Sequence, residues 1–322
     1  MTIPEINEKA RQITENIAKV IVGREKTIRF MLCALLADGH ILLEDVPGTG
    51  KTKLAKTLAK SINTEFNRIQ FTPDLLPSDI TGINIFNRKE NDFILRKGPA
   101  FTNILLADEI NRATPRTQAG LLECMEERQV TIDGMRYELT RPFFVIATQN
   151  PLETAGTYPL PEAQLDRFMM KLSVGLPSKD EEMEILERFT AINNSHDPLE
   201  NLTAVAAQKD IMAMQKGADE VYVHPLINEY IADIAVATRC FSGIVMGISP
   251  RASLNLLKSA KVYAAISGRS FVIPDDIKTL AVPVLAHRLV LNYGYREGKD
   301  SIEKINSILT KLPAPTEEEL NK

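Results

Sequence analysis

The spacing of hydrophobic residues alternates between two periods over the first half of the chain. Short, mostly apolar runs, which are typical of buried strands, lie at 41–44, 103–107, 143–148 and 169–174, and segments with helical spacing separate them. A fifth short strand is predicted at 68–71, where apolar and polar residues alternate. Alternating strands and helices predict an α/β fold built on a parallel five-stranded sheet that is covered on both faces.

Two segments interrupt this order, because apolar and polar residues alternate in them on either side of a polar turn. They span residues 83–95 and 129–139, and the second contains Asp133-Gly134, a strong turn sequence. The alternation predicts two β-hairpin insertions in the α/β core.

Beyond Pro177 the pattern changes to helical spacing alone, and we expect no strand there. The six predicted helices lie at 181–193, 204–217, 224–239, 250–267, 274–291 and 301–312. The sequence therefore predicts two domains, an α/β domain at 1–176 and a small all-α domain at 177–322.

Composition limits the classes of protein to consider. The chain has 322 residues, of which 44% are hydrophobic, and it carries a net charge of −4 with a pI of about 5.8. This acidic balance argues against a broad nucleic-acid surface. No apolar run approaches the ~20 residues that span a bilayer, and the amino terminus lacks the apolar core of a signal peptide. We therefore expect a cytoplasmic protein without a membrane span.

The three cysteines, Cys33, Cys124 and Cys240, lie far apart inside helical patterns. No pair has the spacing of a metal site, and the four histidines form no ligand pair either. The sequence predicts three buried thiols in a reducing compartment.

The first apolar run leads directly into a turn-rich loop and then a helical segment. The loop reads Asp45-Val-Pro-Gly-Thr-Gly-Lys51-Thr52, which matches the phosphate-binding pattern G-x-x-x-x-G-K-[ST] except that Asp45 replaces the first glycine. Backbone N–H groups and the start of the helix favour anions, Lys51 would reach the β- and γ-phosphates, and Thr52 would bind Mg²⁺. The alternative is an ordinary strand-to-helix turn with surface lysines.

Polar residues also follow two later apolar runs. Asp108 and Glu109 come after the run at 103–107, and an acid at the carboxyl end of a neighbouring strand lies beside the phosphate loop. Asp108 would hold Mg²⁺, and Glu109 would polarise the water that attacks the γ-phosphate. Asn150, after the run at 143–148, would contact the γ-phosphate or orient that water. The alternatives are acids that cap the next helix and an Asn-Pro turn.

Together these motifs resemble the AAA+ ATPases of the MoxR family over nearly the whole chain, in the order in which they occur. The matching segments are Leu-Leu-Glu-Asp-Val-Pro-Gly-Thr-Gly-Lys-Thr from Leu42, Phe-Thr-Pro-Asp-Leu-Leu-Pro-Ser-Asp from Phe71, Lys-Gly-Pro-Ala-Phe from Lys97, Ala-Asp-Glu-Ile-Asn-Arg-Ala from Ala107, Met-Glu-Glu-Arg-Gln-Val from Met125, Ala-Thr-Gln-Asn-Pro from Ala147, Leu-Pro-Glu-Ala-Gln-Leu-Asp-Arg-Phe from Leu160, Ser-Pro-Arg-Ala from Ser249 and Val-Ile-Pro-Asp-Asp-Ile from Val272.

The family's phosphate loop commonly carries Glu-Asp-Val-Pro-Gly, so Asp45 fits the resemblance. Because its charge would repel phosphates, we expect its carboxylate to turn away from them. It would instead accept N–H bonds that shape the turn.

The resemblance implies a AAA+ P-loop core with a helical lid, and ATP and Mg²⁺ as cofactors. Asn150 matches the sensor-1 position, Arg167 the arginine finger that acts on ATP of the neighbouring subunit, and Arg251 the sensor-2 position of the lid. Arg251 would serve its own site or an adjacent one. The alternatives are a surface arginine for Arg167 and a salt-bridge partner at a helix start for Arg251. The nucleotide would contact Val22, Gly23, Val46, Pro47, Gly48, Thr49, Gly50, Lys51, Thr52 and Lys53.

The function that the resemblance implies is ATP-driven, chaperone-like remodelling of protein clients by a homo-oligomeric ring, typically a hexamer. The clients would include proteins with a von Willebrand factor A domain or a metal cofactor. The hairpins would face the central pore, where Arg88, Lys89, Arg96 and Lys97 would meet the substrate; solvated surface hairpins are the alternative. Two other functions share this ATPase core, a nucleic-acid motor or loader and the motor subunit of a metal chelatase. The acidic balance disfavours nucleic acid as a partner.

Overall fold

The computed structural model describes residues 1–89, 91–151, 156–191, 197–292 and 298–320. The strands are β1 (Ile41–Glu44), β2 (Phe66–Gln70), β3 (Gly82–Asn87), β4 (Asp92–Lys97), β5 (Ile104–Asp108), β6 (Gln129–Ile132), β7 (Met135–Glu138), β8 (Phe144–Gln149), β9 (Met170–Leu172), β10 (Ile244–Met246) and β11 (Val290–Leu291). The helices are α1 (Ile3–Ala18), α2 (Glu25–Leu36), α3 (Lys51–Ser61), α4 (Pro77–Thr81), α5 (Pro115–Glu127), α6 (Glu162–Leu165), α7 (Lys179–Ala191), α8 (Gln208–Ala218), α9 (Pro225–Cys240), α10 (Pro250–Ile266), α11 (Pro274–Leu285), α12 (Lys299–Lys311) and α13 (Glu317–Leu320).

The central sheet has five strands in the order β2-β5-β8-β1-β9, and every neighbouring pair is parallel. The prediction of a parallel five-stranded sheet is therefore confirmed. Glu44 lies opposite Gln149, and Ala107 lies opposite Ala147. Because these pairs are in register, the segments that follow β1, β5 and β8 leave the sheet at the same edge. We call it the carboxyl edge, and the opposite one the amino edge.

Alternate strand residues face opposite sides of the sheet and enter two separate hydrophobic clusters. Leu43 and Leu106 belong to a large cluster that also contains α1, α2, α3 and apolar residues of α8 to α12. Leu42 and Leu105 belong to a smaller cluster with α5 and hairpin residues. All four side chains are buried, so the sheet is covered on both faces as the continuous apolar runs predict.

The two predicted hairpins are present as β3–β4 and β6–β7, both antiparallel. In the second, Asp133 and Gly134 have φ values of +49° and +81°, the left-handed pair that a tight two-residue turn needs. The hairpins touch, because the Asn84 side-chain amide donates to Asp133 Oδ2 at 2.9 Å. They therefore form one joint projection from the core.

The carboxyl-terminal part is mainly helical, but the expectation that it has no strand is wrong. β10 and β11 form a short antiparallel ladder, and β11 lies within the segment 274–291 that was expected to be helical throughout. Helix α11 ends at Leu285 instead, and a 3-10 turn follows at Ala286–Arg288. Strands of two or three residues are too short for an alternating pattern to reveal them. The end of the helix predicted at 181–193 lies outside the described residues.

Cys33 and Cys124 are buried as expected, but Cys240, the last residue of α9, is exposed, so the prediction of three buried thiols is wrong. Its position in a helical pattern does not reveal which face of the helix it lies on.

Among the described residues, no helix combines the length and the apolar character needed to cross a bilayer.

Candidate functional site

The loop between β1 and α3 has the backbone expected for binding an anion. Gly48 and Gly50 have φ values of +86° and +83°, a left-handed conformation that side-chain-bearing residues rarely adopt. Helix α3 begins at Lys51, so its first N–H groups lie at the loop. The Lys51 ammonium donates to the carbonyl of Asp45 at 2.9 Å. Thr52 is the second residue of α3, and Lys53 forms a solvent-exposed ion pair with Asp197 at 3.1 Å.

Asp45 joins this loop to the segment that follows β9. Its carboxylate accepts hydrogen bonds from Ser173 Oγ at 2.6 Å, from the N–H of Val174 at 2.6 Å and from the N–H of Gly175 at 3.0 Å. Asp45 accepts N–H bonds as expected, and their donors belong to the segment after β9. The carboxylate is buried and anchors the loop to the segment that leads into α7.

The segment Val22-Gly23 lies close to this anchor. The Arg24 guanidinium donates to the carbonyl of Gly175 at 3.2 Å and forms an ion pair with Glu181 of α7 at 3.1 Å. A Cβ at Gly23 would lie 1.9 Å from Glu181 Oε1, and the φ of Gly23 is +67°. Only glycine fits this position without displacing Glu181, so the segment predicted to contact the nucleotide is held between the core and α7.

Asp108 ends β5 at the carboxyl edge, and two neighbouring strands hold its carboxylate. Thr148 of β8 donates its hydroxyl to Oδ1 at 2.5 Å, and Arg68 of β2 donates to Oδ2 from Nε at 3.1 Å and from Nη2 at 2.7 Å. Carboxylate and hydroxyl oxygens are the ligands that Mg²⁺ prefers, so Asp108 and Thr52 fit the predicted metal role by their chemistry.

Glu109 has a backbone conformation that is uncommon for a residue with a side chain. Its φ is +56°, which costs on the order of 1 kcal/mol or more and persists only where the surroundings enforce it. The Thr148 hydroxyl accepts from the Glu109 N–H at 2.9 Å. Gln70 donates to Glu109 Oε2 at 2.6 Å, and Arg112 Nε lies 2.9 Å from the same oxygen. These contacts fix the direction of the carboxylate at the carboxyl edge.

Sequence patterns did not identify Arg68 and Gln70 as partners of the two acids. Both are polar residues within a predicted strand, an unusual feature that could have drawn attention to them, and this strand pairs with β5. Without the strand order, however, no pattern identified which residues lie across from Asp108.

Asn150 is buried and directly follows β8. The N–H of Asp45 donates to the carbonyl of Gln149 at 3.3 Å, which places Asn150 beside the start of the phosphate loop. The structure therefore brings the loop, the two acids and Asn150 together at the carboxyl edge.

Arg167 lies at the amino edge. Strand β9 begins at Met170, which pairs with Ile41 at the start of β1, and the N–H of Met169 donates to the carbonyl of His40 at 2.8 Å. The phosphate loop follows the other end of β1, whose four residues span about 10 Å. The structure thus separates Arg167 from the phosphate loop of its own chain.

Arg251 lies next to Arg167, because both contact the same carboxylate. Arg167 Nη2 is 3.1 Å from Glu126 Oε2, and the Arg251 guanidinium donates to Glu126 Oε1. Glu126 is itself near the start of β1, since His40 Nε2 is 3.0 Å from the carbonyl of the preceding Met125. Both predicted arginines are therefore at the amino edge.

An ion pair with a buried arginine lies beside these residues and joins the core to the carboxyl-terminal helices. Arg288 Nε donates to Asp166 Oδ1 at 2.8 Å, and the Ser249 hydroxyl donates to both carboxylate oxygens of Asp166. Burial lowers the pKa of Arg288 to about 10, so the guanidinium stays protonated at neutral pH. Asp166 and Arg288 were missed because their contact joins distant parts of the sequence.

The phosphate loop follows β1, the two acids lie at the end of β5, and Asn150 follows β8, the strand between them. This arrangement on a parallel sheet, followed by a mainly helical carboxyl-terminal part, defines a P-loop ATPase of the AAA+ class. The family model described as "ATPase family associated with various cellular activities (AAA)" matches residues 40–170, and the AAA lid domain matches residues 236–311. The chain belongs to the MoxR family of these ATPases.

Relatives with high coverage support this assignment. The chain is 48% identical to the uncharacterized protein YeaC of Bacillus subtilis, over 94% of both chains. It is 40% identical to Chaperone MoxR1 of Mycobacterium tuberculosis, over 97% of this chain and 83% of the relative, and 30% identical to Protein MoxR of Paracoccus denitrificans, over 92% and 93%. A crystal structure of a Cytophaga hutchinsonii protein superposes with a TM-score of 0.89 at 40% identity, covering 98% of this chain and 97% of the other.

Proposed function

We propose that this protein hydrolyses ATP in the presence of Mg²⁺ and uses the energy to remodel protein clients. The observation that carries the proposal is Glu109, which Thr148, Gln70 and Arg112 hold in a left-handed conformation at the carboxyl edge. Glu109 lies at the same edge of the sheet as the phosphate loop, where a carboxylate can polarise the attacking water. The name Chaperone MoxR1 of one relative supports a client protein as the target.

The proposed roles follow from the position of each side chain. Lys51 and the N–H groups at the start of α3 bind the β- and γ-phosphates, and Thr52 and Asp108 hold the metal ion. Mg²⁺ supplies neutralisation of charge on the phosphate oxygens. Glu109 accepts a proton from the attacking water, and Asn150 orients that water.

We further propose that Arg167 and Arg251 act on ATP held by a neighbouring subunit. Both lie at the amino edge, away from the phosphate loop of their own chain, and this position favours the adjacent site over the own site for Arg251. Each guanidinium would stabilise charge on the transferred phosphoryl group. The active form is then a homo-oligomeric ring, for which we propose a hexamer.

The first hairpin offers a surface for the client. Phe86 and Phe93 are 52% and 66% exposed, and their rings pack against each other with centroids 5.4 Å apart. The basic residues Arg88 and Lys89 follow Phe86 after one intervening residue, Asn87. An exposed aromatic pair beside positive charge suits an extended client segment with apolar and acidic residues. Proteins with a von Willebrand factor A domain are the client class that we propose.

Replacement of Glu109 by Gln tests the proposed hydrolysis. The variant should bind ATP and Mg²⁺ with native affinity, while kcat falls about 100-fold or more because the amide cannot accept the proton. Calorimetry measures binding, and phosphate release measures turnover. Glu123→Gln, on the exposed face of α5, is the matched control and should turn over normally. Normal turnover by Glu109→Gln, or full activity in excess EDTA, would refute the proposal.

A further inference from the structure

Glu126 contacts two arginines that come from different parts of the chain. Its Oε2 lies 3.1 Å from Arg167 Nη2, and its Oε1 accepts from the Arg251 guanidinium. Glu126 is in the last turn of α5, Arg167 lies between α6 and β9, and Arg251 is the second residue of α10. One carboxylate therefore holds both guanidinium groups within a few ångströms of each other.

Neither Glu126 nor Arg251 is placed where its charge would stabilise its own helix. Acids favour the start of a helix and bases favour its end, because of the helix dipole. Glu126 is at the end of α5, whose last turn contains no base, and Arg251 is at the start of α10, whose first turn contains no acid. Helix stability therefore does not explain why these two charged residues are present.

Overall stability does not explain the contacts either. The side chains of Arg167, Glu126 and Arg251 are 33%, 34% and 44% exposed, and exposed ion pairs contribute little to folding. The nearby pair of Asp166 and Arg288 differs, since the Arg288 side chain is only 2% exposed. That buried pair, together with the bonds from Ser249 to Asp166, fixes the start of α10 on the core independently of Glu126.

We propose that Glu126 is a positioning residue that holds Arg167 and Arg251 side by side as one unit for the phosphates of the neighbouring subunit's ATP. The inference rests on the proposed action of both arginines at that site. Glu126 offsets the repulsion between the two guanidinium groups. Because its ion pairs with the two arginines are exposed and weak, a multiply charged phosphate can bind both guanidinium groups at a small cost in free energy.

The test is a double-mutant cycle on the full-length protein with ATP and Mg²⁺. Glu126→Gln keeps the length of the side chain but lacks the charge that holds two guanidinium groups. We expect kcat to fall about tenfold, with the KM for ATP changed less than about twofold, because the chain's own phosphate loop is untouched. In an Arg251→Ala background the same replacement should lower kcat by a smaller factor, because only Arg167 is then left for Glu126 to hold. Glu127→Gln, the exposed neighbour, is the matched control and should behave as the native protein.

Several outcomes would overturn the inference. An equal loss of kcat from Glu126→Gln with and without Arg251 would show that Glu126 does not act through that arginine. A loss of kcat explained by a lower melting temperature would show a structural role. If Glu126→Gln does not fold, Glu126→Asp replaces it in the test. Full activity of Glu126→Asp, whose shorter side chain cannot reach both arginines, would contradict the proposed positioning role. The proposed function fails separately, when Arg167→Ala itself retains native kcat.

Discussion

At the scale of single residues, the site depends on charges held in unusual places. Asp45 occupies the position where the phosphate-loop pattern has glycine, and its buried carboxylate accepts three hydrogen bonds from residues 173–175. Glu109 has a left-handed backbone and three polar contacts. Asp45 depends on residues that follow β9, and Glu109 depends both on Gln70 of the neighbouring strand β2 and on Arg112 of its own segment.

Replacement of Asp45 by Gly would restore the standard pattern and yet weaken the protein. The change removes three hydrogen bonds to a charged acceptor and leaves two N–H groups and a hydroxyl without that partner. The free energy of unfolding should fall by about 3 kcal/mol, measured by urea denaturation. Asp45→Asn, which keeps an acceptor of similar shape, should lose less. An Asp45→Gly variant as stable as the native protein would show that the anchor contributes nothing.

At the scale of elements, the two hairpins differ from the rest of the chain because they expose apolar residues. Phe86 lies directly across from Phe93 in the β3–β4 ladder, and both are exposed. Asn84 contacts Asp133 of the second hairpin. A cross-strand aromatic pair stabilises a hairpin, but an exposed pair also offers a binding surface.

The double replacement Phe86→Ser/Phe93→Ser tests this surface. An unfolded acidic protein, such as reduced and carboxymethylated lactalbumin, should stimulate ATP hydrolysis by the native protein, and the variant should lose most of that stimulation. The rate of phosphate release with and without the added protein measures it. Tyr222→Ser/Phe271→Ser, which replaces two exposed aromatic residues joined by a backbone bridge in the carboxyl-terminal part, is the matched control and should retain stimulation.

Two results would count against the client surface. One is full stimulation of the Phe86/Phe93 variant. The other is stimulation by DNA that decreases steeply with salt, which would favour the nucleic-acid motor.

At the scale of the whole molecule, the polarity of the parallel sheet separates the two halves of the proposed active site. The phosphate loop, the acids and Asn150 are at the carboxyl edge, whereas Arg167 and Arg251 are at the amino edge. We therefore expect that the two halves of one chain serve two different ATP molecules. Two chains can do so when the amino edge of one faces the carboxyl edge of the next.

Mixing two inactive variants tests this arrangement. Arg167→Ala lacks the finger but keeps the phosphate loop, and Lys51→Ala lacks the loop lysine but keeps the finger. Each alone should be nearly inactive, and mixed oligomers should regain part of the native rate, because some interfaces then contain one intact copy of each half. Phosphate release over a series of mixing ratios measures the recovery. Absence of recovery at every ratio, with subunit exchange verified, would contradict a shared site.

The sequence alone determined which residues form the main elements and most of the proposed nucleotide site. Lys51, Thr52, Asp108, Glu109 and Asn150 were recognisable because each stands at a fixed place relative to an apolar strand. Periodicity and turn chemistry are local, so they can be read from neighbouring residues. The parallel five-stranded sheet followed from the same alternation of strands and helices.

Only the tertiary structure decided which distant side chains meet. It directed Asp45 to residues 173–175, brought Arg251 to Glu126 across 125 positions of sequence, and placed Arg167 at the edge opposite the phosphate loop. It also exposed Cys240 and formed the short β10–β11 ladder. These features depend on strand order and on the packing of the helices against the core, and neither property is encoded in a local pattern.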